Sequence, residues 1–312
     1  SLTISIWLIG LVAGAYTIYG GLKAVVWSDL IQGSALLIGG AIVVFLGFAA
    51  LGEEGGVVGG MDVFFEANAD KLHTVLPWND PDMPWLAVFV GGLWIPNLFY
   101  WGMNQFITQR TLGASSLAEG QRGILFAAFL KLLIPFIIVF PGIMAFQLYG
   151  DQIARGDEAY AYLMSRLLPP ELRGIMLAAL TGAVMSSFNS MLNSASTIFT
   201  MDLYARHLRP NASAERLVRV GRWATAVFVV IACLWAPQIS RFEGVFTYIQ
   251  MVWGFITPGI VAAFLFGLAN RKTPPLAAHG AMLLGIPIYA LLLWQLPEVA
   301  FLHHMAITFV IL

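Results

Sequence analysis

Charged side chains are scarce in this chain, and their scarcity excludes a soluble protein. Asp, Glu, Lys and Arg make up 11% of the 312 residues, against about 25% in soluble domains. Hydrophobic residues make up 59%, and the mean hydropathy is +0.80. The composition therefore indicates a protein that crosses the lipid bilayer several times. The net charge of −1 and the lack of a long basic run give no sign of nucleic-acid binding.

Cysteine and the common catalytic motifs are also sparse. The single cysteine, Cys233, lies in an apolar segment and cannot form an intrachain disulfide, so we expect a small buried hydrophobic residue. The five histidines lack the spacing of a metal site, and no metal other than sodium is expected. We find no nucleophile–base pair and no glycine-rich phosphate loop. The chain is therefore not expected to be an enzyme.

Long apolar runs take the place of those motifs. A bilayer core of about 30 Å needs roughly 20 apolar residues as helix, and the runs lack the strict alternation of barrel strands. We therefore predict an all-α, polytopic transmembrane helix bundle. The chain starts and ends inside hydrophobic segments, which predicts an internal piece of a longer transporter-sized protein. The predicted spans are 2–19, 26–51, 84–107, 122–149, 172–203, 218–238, 244–268 and 277–295, with a partial span from about 300.

Loop charges predict how the chain is oriented in the membrane. Alternate loops carry the basic residues, and the positive-inside rule places such loops in the cytoplasm. The loop at 52–83 is the longest, is rich in acids and is predicted to be a folded extracellular segment. No domain boundary is visible, so residues 1–312 are predicted to form a single transmembrane domain. The basic loop residues are Lys23, Arg110, Arg122, Arg206, Arg209, Arg216, Arg219, Arg222, Arg271 and Lys272.

The fifth span carries a stripe of hydroxyl and amide side chains. At about 100° per residue one helix face collects Ser186, Ser190, Asn193 and Thr197. Because lipid offers these groups no hydrogen-bond partner, the stripe should face protein or a water-filled cavity. Two interpretations stay open on the pattern alone. Neutral oxygens suit a weakly held cation, and they also suit close packing between helices.

The third span contains features that interrupt helices. Pro96 removes a backbone donor near its middle, and Asn97, Tyr100, Trp101 and Gly102 follow. An interrupted helix at the membrane midplane is the usual substrate-site geometry of secondary transporters, although simple kinks are also common. The aromatic residues are either core packing or a stacking face for a sugar-like ring.

Three further polar residues lie within apolar segments. Lys131 is nine residues past Arg122, about 13 Å along a helix, so its ammonium either serves a solute or an acid partner, or snorkels to the surface. Asp29 is either an acid favoured by a helix dipole or a cation relay at the inner mouth. Gln250 has aromatic neighbours, an arrangement that suits solute recognition.

Together these segments resemble the sodium/solute symporter family, and most closely its sodium/sugar branch. The resemblance rests on YGGLKAVVWSDLIQ (19–32), GGLWIPNLFYWGMNQFITQR (91–110), FAAFLKLLIPF (126–136), SSFNSMLNSASTIFTMDLY (186–204) and YIQ followed by TPG. It implies part of a five-plus-five inverted-repeat (LeuT-like) fold, with the first helices of the first repeat missing and the last helix truncated.

The resemblance also implies residue roles. It assigns sodium binding to Ala183, Ser186 and Ser187, and the sodium exit path to Asp29. It assigns hydrogen bonds to the solute to Asn97, Lys131 and Gln250. Tyr100 is implied as the inner aromatic gate and Phe246 as the outer gate. Asn189 replaces the smaller hydroxylated residue of members proposed to hold a second sodium ion, which argues against two sodium ions.

The function implied by this resemblance is sodium-coupled symport of a galactose- or glucose-like sugar across the plasma (inner) membrane by alternating access. The implied partners are the sodium ion, the sugar and the lipid bilayer. Two alternatives stay open. One is a sodium symporter for another polar solute, such as an amino acid, a polyol or an organic acid. The other is a transporter-like solute sensor. The sequence does not predict the oligomeric state.

Overall fold

The described part of the chain is mainly helical, with short loops between the helices. The computed structural model describes residues 2–80, 83–239, 241–242 and 244–312, with the backbone alone for 21–25. Within these ranges there are helices and no strands, because lipid leaves backbone polar groups unpaired unless a helix pairs them internally. The α-helices are α1 (Leu2–Gly52), α2 (Gly56–Ala67), α3 (Trp85–Phe89), α4 (Trp94–Leu98), α5 (Gln105–Leu112), α6 (Leu117–Ile134), α7 (Phe140–Tyr149), α8 (Ala159–Leu167), α9 (Pro170–Ile198), α10 (Ala214–Ile239), α11 (Val245–Ala269), α12 (Pro275–Gln295) and α13 (Phe301–Ile311).

Three π-helical segments extend these helices, and short 3₁₀ turns connect some of them. The π segments are Phe99–Met103, Pro135–Val139 and Phe199–Leu208, and the turns are Glu53–Gly55, Ala69–Lys71, Gly150–Gln152 and Gly156–Glu158. In the described part of the chain, eight segments are long and apolar enough to cross a membrane. The predicted multi-pass bundle is thus confirmed. Asp82 and the Lys23 side chain, both among the charged groups of the predicted loops, lie outside the described residues.

The first two predicted spans form one continuous helical element, α1. Tyr16 Oη and Ser28 Oγ nevertheless lie 2.8 Å apart. A straight helix would separate positions 12 residues apart by about 18 Å, more than the two side chains can reach. The axis of α1 therefore bends between Tyr16 and Ser28, and the predicted spans are its two arms.

One compact group of helices comprises residues 1–71 and 109–241. Its helices approach closely at glycines of α1: a β-carbon on Gly39 would lie 1.8 Å from Met176 Sδ, and one on Gly10 would lie 2.4 Å from Cys233 Sγ. Cys233 is 3% exposed, which confirms its prediction as a buried residue. The predicted folded loop contains α2, where the buried Phe64 packs edge-on against Phe48.

The other compact group comprises residues 72–108 and 242–312. Its core contains Ala87, Ile95, Val261, Tyr289, Leu302 and Met305. The assembly of both groups into one transmembrane domain stays a prediction.

The third predicted span is interrupted, as expected, although not at its proline. It breaks between α3 and α4, at Gly91 and Gly92, and again at Asn104, whose backbone is extended (φ −81°, ψ 118°). A β-carbon on Gly92 would lie 2.1 Å from Leu302 O, so α13 leaves room only for glycine. Pro96 is the third residue of α4, where a helix has no internal partner for the missing N–H.

Candidate functional site

The polar stripe of α9 meets an ion pair formed by two other helices. The guanidinium of Arg110, on α5, pairs with Asp29 on α1, and their side chains are 31% and 21% exposed. The Ser186 hydroxyl donates to the second carboxylate oxygen of Asp29. Such donors stabilise a carboxylate that is partly removed from water, because they offset the cost of its desolvation. The structure thus brings together Asp29 and Ser186, two of the predicted site residues.

Arg110 joins this carboxylate to α9 at a further point. The same Nη2 atom donates to Ser190 Oγ, and Ser190 Oγ donates to Ser186 O over 2.9 Å. Gln109 adds a bond from Nε2 to Ser190 O at 3.4 Å. The last turn of α5 is therefore fastened to the turn of α9 that carries Ser186.

The sequence did not predict the role of Arg110, which was identified only as one of the basic loop residues that set the orientation in the membrane. The available signal was Asp29 itself, because an acid within a membrane segment requires a partner. Arg110 lies three residues beyond the next predicted span, 84–107. Nothing in the sequence selects it, since the two residues are 81 positions apart.

The three predicted sodium ligands occupy one turn of α9 with different surroundings. Ser186 and Ala183 are half-buried, whereas Ser187 is exposed on this group of helices. Adjacent helical residues point about 100° apart, so Ser187 faces away from the Asp29 contact. Hydroxyl and carboxylate oxygens are the ligands that hard cations prefer, and the local chemistry fits sodium. The ligand set itself stays a prediction.

The remainder of the stripe makes contacts typical of helix packing. Thr17 Oγ1 donates to Asn189 Oδ1 at 2.6 Å, and Asn193 Nδ2 donates to Gln109 Oε1 at 3.3 Å. Thr197 donates to the backbone carbonyl of Asn193. The bonds of Asn189 and Asn193 to other helices support the packing interpretation for these two residues, whereas the Thr197 bond lies within α9.

The second helix group places an aromatic face beside a buried amide. The Tyr100 ring, in the π segment Phe99–Met103, lies against Trp253 of α11 with centroids 5.4 Å apart and planes tilted by 34°. Gln250 is one turn earlier on α11, is 6% exposed, and its Oε1 has no hydrogen-bond partner among the described residues. An unpaired buried acceptor costs about 1–3 kcal/mol, so a ligand or water that donates to it would be stabilised there.

Two further predicted residues of this group are exposed. Asn97, on α4, donates from Nδ2 to Leu93 O at 2.9 Å. None of the described residues donates to its side-chain oxygen, which leaves that oxygen available to a solute hydroxyl. Phe246 lies one turn before Gln250 on α11 and is 57% exposed. Trp253 was not predicted as part of this set; its position three residues after Gln250 was the only signal.

Lys131 belongs to the first helix group. It lies on α6 with Arg122, as predicted, and its side chain is exposed there. Asn97, Tyr100, Gln250 and Phe246 belong to the second group. A common solute site for Lys131, Asn97 and Gln250 therefore stays a prediction.

Comparison with known proteins adds an independent line of evidence. Residues 1–286 match the family model described as the sodium:solute symporter family. The chain is 40% identical to a sodium/glucose cotransporter of Vibrio parahaemolyticus, over 96% of this chain and 59% of that protein. It is 39% identical to the uncharacterized symporter YidK of Escherichia coli K12, over 97% of this chain and 53% of that protein. It shares 36% identity with the human sodium/myo-inositol cotransporter 2, over 89% of this chain and 46% of that protein.

A solved structure shows the same fold. It is the substrate-bound, outward-open state of a Na⁺-coupled sialic acid symporter, with a TM-score of 0.72 and 20% identity, covering 99% of this chain and 64% of the other. The chain thus spans about half the length of the curated relatives it matches.

Proposed function

Because this chain belongs to the sodium:solute symporter family, we propose that the protein containing it couples sodium entry to the uptake of a sugar-like, polyhydroxylated ring solute. The chain is an integral multi-pass membrane protein that carries part of the five-plus-five inverted-repeat fold. Its relatives are transporters and not enzymes. The complete protein would work by alternating access in the plasma membrane.

The observation that carries this proposal is the pairing of Tyr100 and Trp253 beside Gln250. A sugar ring has an apolar face that stacks on aromatic rings and an edge of hydroxyls that donate to amide oxygens. The Tyr100 and Trp253 rings, tilted by 34° to each other, and Gln250 Oε1, which has no partner among the described residues, offer both within the second helix group. Relatives named for glucose and myo-inositol act on rings of this kind, which supports the same solute class here.

Sodium enters the proposal through α9. Ser186 and Ser187 would supply hydroxyl oxygens to the ion, and Asp29, already bonded to Ser186, would meet the ion as it leaves towards the cytoplasm. Coupling requires only that each ligand prefer one conformation and so favour the other's binding. The membrane potential adds about 2.3 kcal/mol per charge for each 100 mV.

Uptake by the complete protein in proteoliposomes tests the proposal. Labelled galactose, glucose, myo-inositol, proline and sialic acid are offered with and without an inward sodium gradient. We expect sodium-dependent uptake of at least one of the three ring polyols. Sodium-dependent uptake of proline alone would contradict the sugar assignment. Binding without uptake of any solute would favour a sensor.

Variants at Gln250 and Lys131 test the solute residues. Gln250→Ala should weaken the apparent solute affinity about tenfold, since it removes a hydrogen bond worth about 1.4 kcal/mol. The matched control is Gln295→Ala, an exposed amide at the end of α12.

Lys131→Ala should abolish uptake, while Lys272→Ala, an exposed loop lysine, should not. Unchanged uptake by either test variant would remove that residue from the site.

A further inference from the structure

The first helix group has a concave feature that none of the predicted ion or solute residues line. It is a groove of about 780 Å³ between the π segment Phe199–Leu208 and the first half of α10. Arg216 Nε donates to Tyr204 Oη at 2.8 Å across it. A β-carbon on Gly221 would lie 3.4 Å from Thr200 Oγ1, so the two helices also approach closely beside it. Both walls of the groove are therefore held in place.

The lining of the groove changes from basic to apolar along one face of α10. Arg216 and Arg219 come first and are exposed, and Trp223, Val227 and Phe228 follow at helical spacing. From the first to the last is about 18 Å along the axis. Trp223 is 69% exposed and Val227 is 53% exposed. The groove thus offers cations at one end and an apolar trough at the other.

Among the residues that line the groove there is one acid. Glu215 lines the groove and accepts from Ser213 Oγ at 3.2 Å. It offsets one of the two arginine charges there. The stretch 199–222 also carries Arg206, Arg209 and Arg222 against one further acid, Asp202, so its net charge stays positive.

Membrane position narrows the choice of occupant. Ala214–Ile239 is a candidate span, so the apolar end of the groove lies at membrane depth. The positive-inside rule places the arginines at the cytoplasmic face, where the leaflet is anionic and basic pockets between helices bind lipid phosphates. A free phosphate would satisfy the arginines but would leave the trough unused.

We propose that this groove binds one anionic phospholipid of the cytoplasmic leaflet. The headgroup phosphate lies on Arg216 and Arg219, and one acyl chain lies along Trp223, Val227 and Phe228. Charge complementarity selects the headgroup and the apolar trough selects the chain. The site is independent of the solute carried.

Native mass spectrometry of the complete protein, titrated with phosphatidylglycerol and with phosphatidylcholine of the same chains, tests this site. The wild-type protein should bind one phosphatidylglycerol molecule in clear preference to phosphatidylcholine. Arg216→Gln with Arg219→Gln should weaken this binding roughly 25-fold, at about fivefold for each arginine. The lysine pair, Arg216→Lys with Arg219→Lys, should retain most binding because the charge remains. Arg206→Gln with Arg209→Gln, with the same charge change outside the groove, should leave binding within about twofold.

Three results would overturn the proposal. Equal losses from the two glutamine pairs would mean that binding depends on general surface charge. Competition by glycerol phosphate as strong as that by the lipid would mean a site for a free phosphate compound. A photoreactive residue at Val227 that cross-links to protein from outside residues 1–312, and not to lipid, would mean that another segment covers the groove. A phospholipid adduct at Val227 supports the assignment.

Discussion

Arg110 donates to acceptors on two different helices, Asp29 on α1 and Ser190 on α9. Arg110→Ala would leave the half-buried Asp29 carboxylate with Ser186 as its remaining donor among the described residues. We expect the free energy of unfolding to fall by about 1–3 kcal/mol, less than for a fully buried pair because both side chains keep some exposure. Thermal and denaturant unfolding of the complete protein in detergent measure this loss.

An exposed ion pair serves as the control for that change. Arg122 pairs with Glu119 at 2.8 Å with side chains 75% and 53% exposed, so Arg122→Ala should cost less than about 0.5 kcal/mol. The double change Asp29→Asn with Arg110→Gln should recover part of the loss, because it leaves no unpaired charge. Equal losses for Arg110→Ala and Arg122→Ala would show that the pair with Asp29 is not stabilising.

Single residues also show how far the sequence could be interpreted. Asp29 and Ser186 were both singled out from their positions in apolar segments. Their hydrogen bond was not predicted, because hydropathy locates spans without stating which spans pack together. The same limit explains Trp253, which is an ordinary apolar residue until Tyr100 is placed against it.

At the scale of helices, the contact between α11 and α12 depends on Gly254. A β-carbon there would lie 2.2 Å from Tyr289 Cζ and 2.3 Å from its Oη, and Tyr289 is fully buried. Gly254→Ala should therefore destabilise the protein by about 1–3 kcal/mol, the usual cost of overpacking. The melting temperature of the complete protein in detergent is the measurement.

Gly267 provides the matched control on the same helix. A β-carbon there meets no atom within 4 Å. Gly267→Ala should be neutral or slightly stabilising, because alanine favours helix over glycine by up to about 1 kcal/mol. If Gly254→Ala were as well tolerated as Gly267→Ala, the close packing of Tyr289 on α11 would be wrong.

Helices also show which local signals can be trusted. The spans were predictable because length and hydropathy alone set them. The interruption of the third span was expected at Pro96, whereas it lies at Gly91, Gly92 and Asn104. Proline breaks a helix only where its missing N–H would have been bonded, and in the first turn of α4 it would not. The tight contact of Gly92 with Leu302 joins residues 210 positions apart, beyond any local pattern.

For the whole molecule, composition was sufficient to predict a multi-pass helical protein, and the order of motifs was sufficient to predict the family. The solute was not predictable to the same degree. Its predicted ligands are few, and Lys131 belongs to one helix group while Asn97 and Gln250 belong to the other. Hydrogen-bonding side chains of this kind suit several polar solutes. Uptake measurements on the complete protein are therefore needed to identify the solute and to distinguish a coupled symporter from a simple binder.

Coupling predicts a reciprocal effect on two affinities. Saturating sodium should tighten solute binding by a factor of about 5–150, and the solute should tighten sodium binding by the same factor, because linkage is symmetric at equilibrium.

Ser187→Ala should raise the half-saturating sodium concentration severalfold, since it removes one proposed oxygen ligand. Ser34→Ala, an exposed hydroxyl on α1, is the control. Labelled-solute binding at graded sodium and constant ionic strength is measured for the wild type and both variants. Solute binding that does not depend on sodium would contradict the coupling. An unchanged half-saturating sodium concentration in Ser187→Ala would remove Ser187 from the proposed ligands.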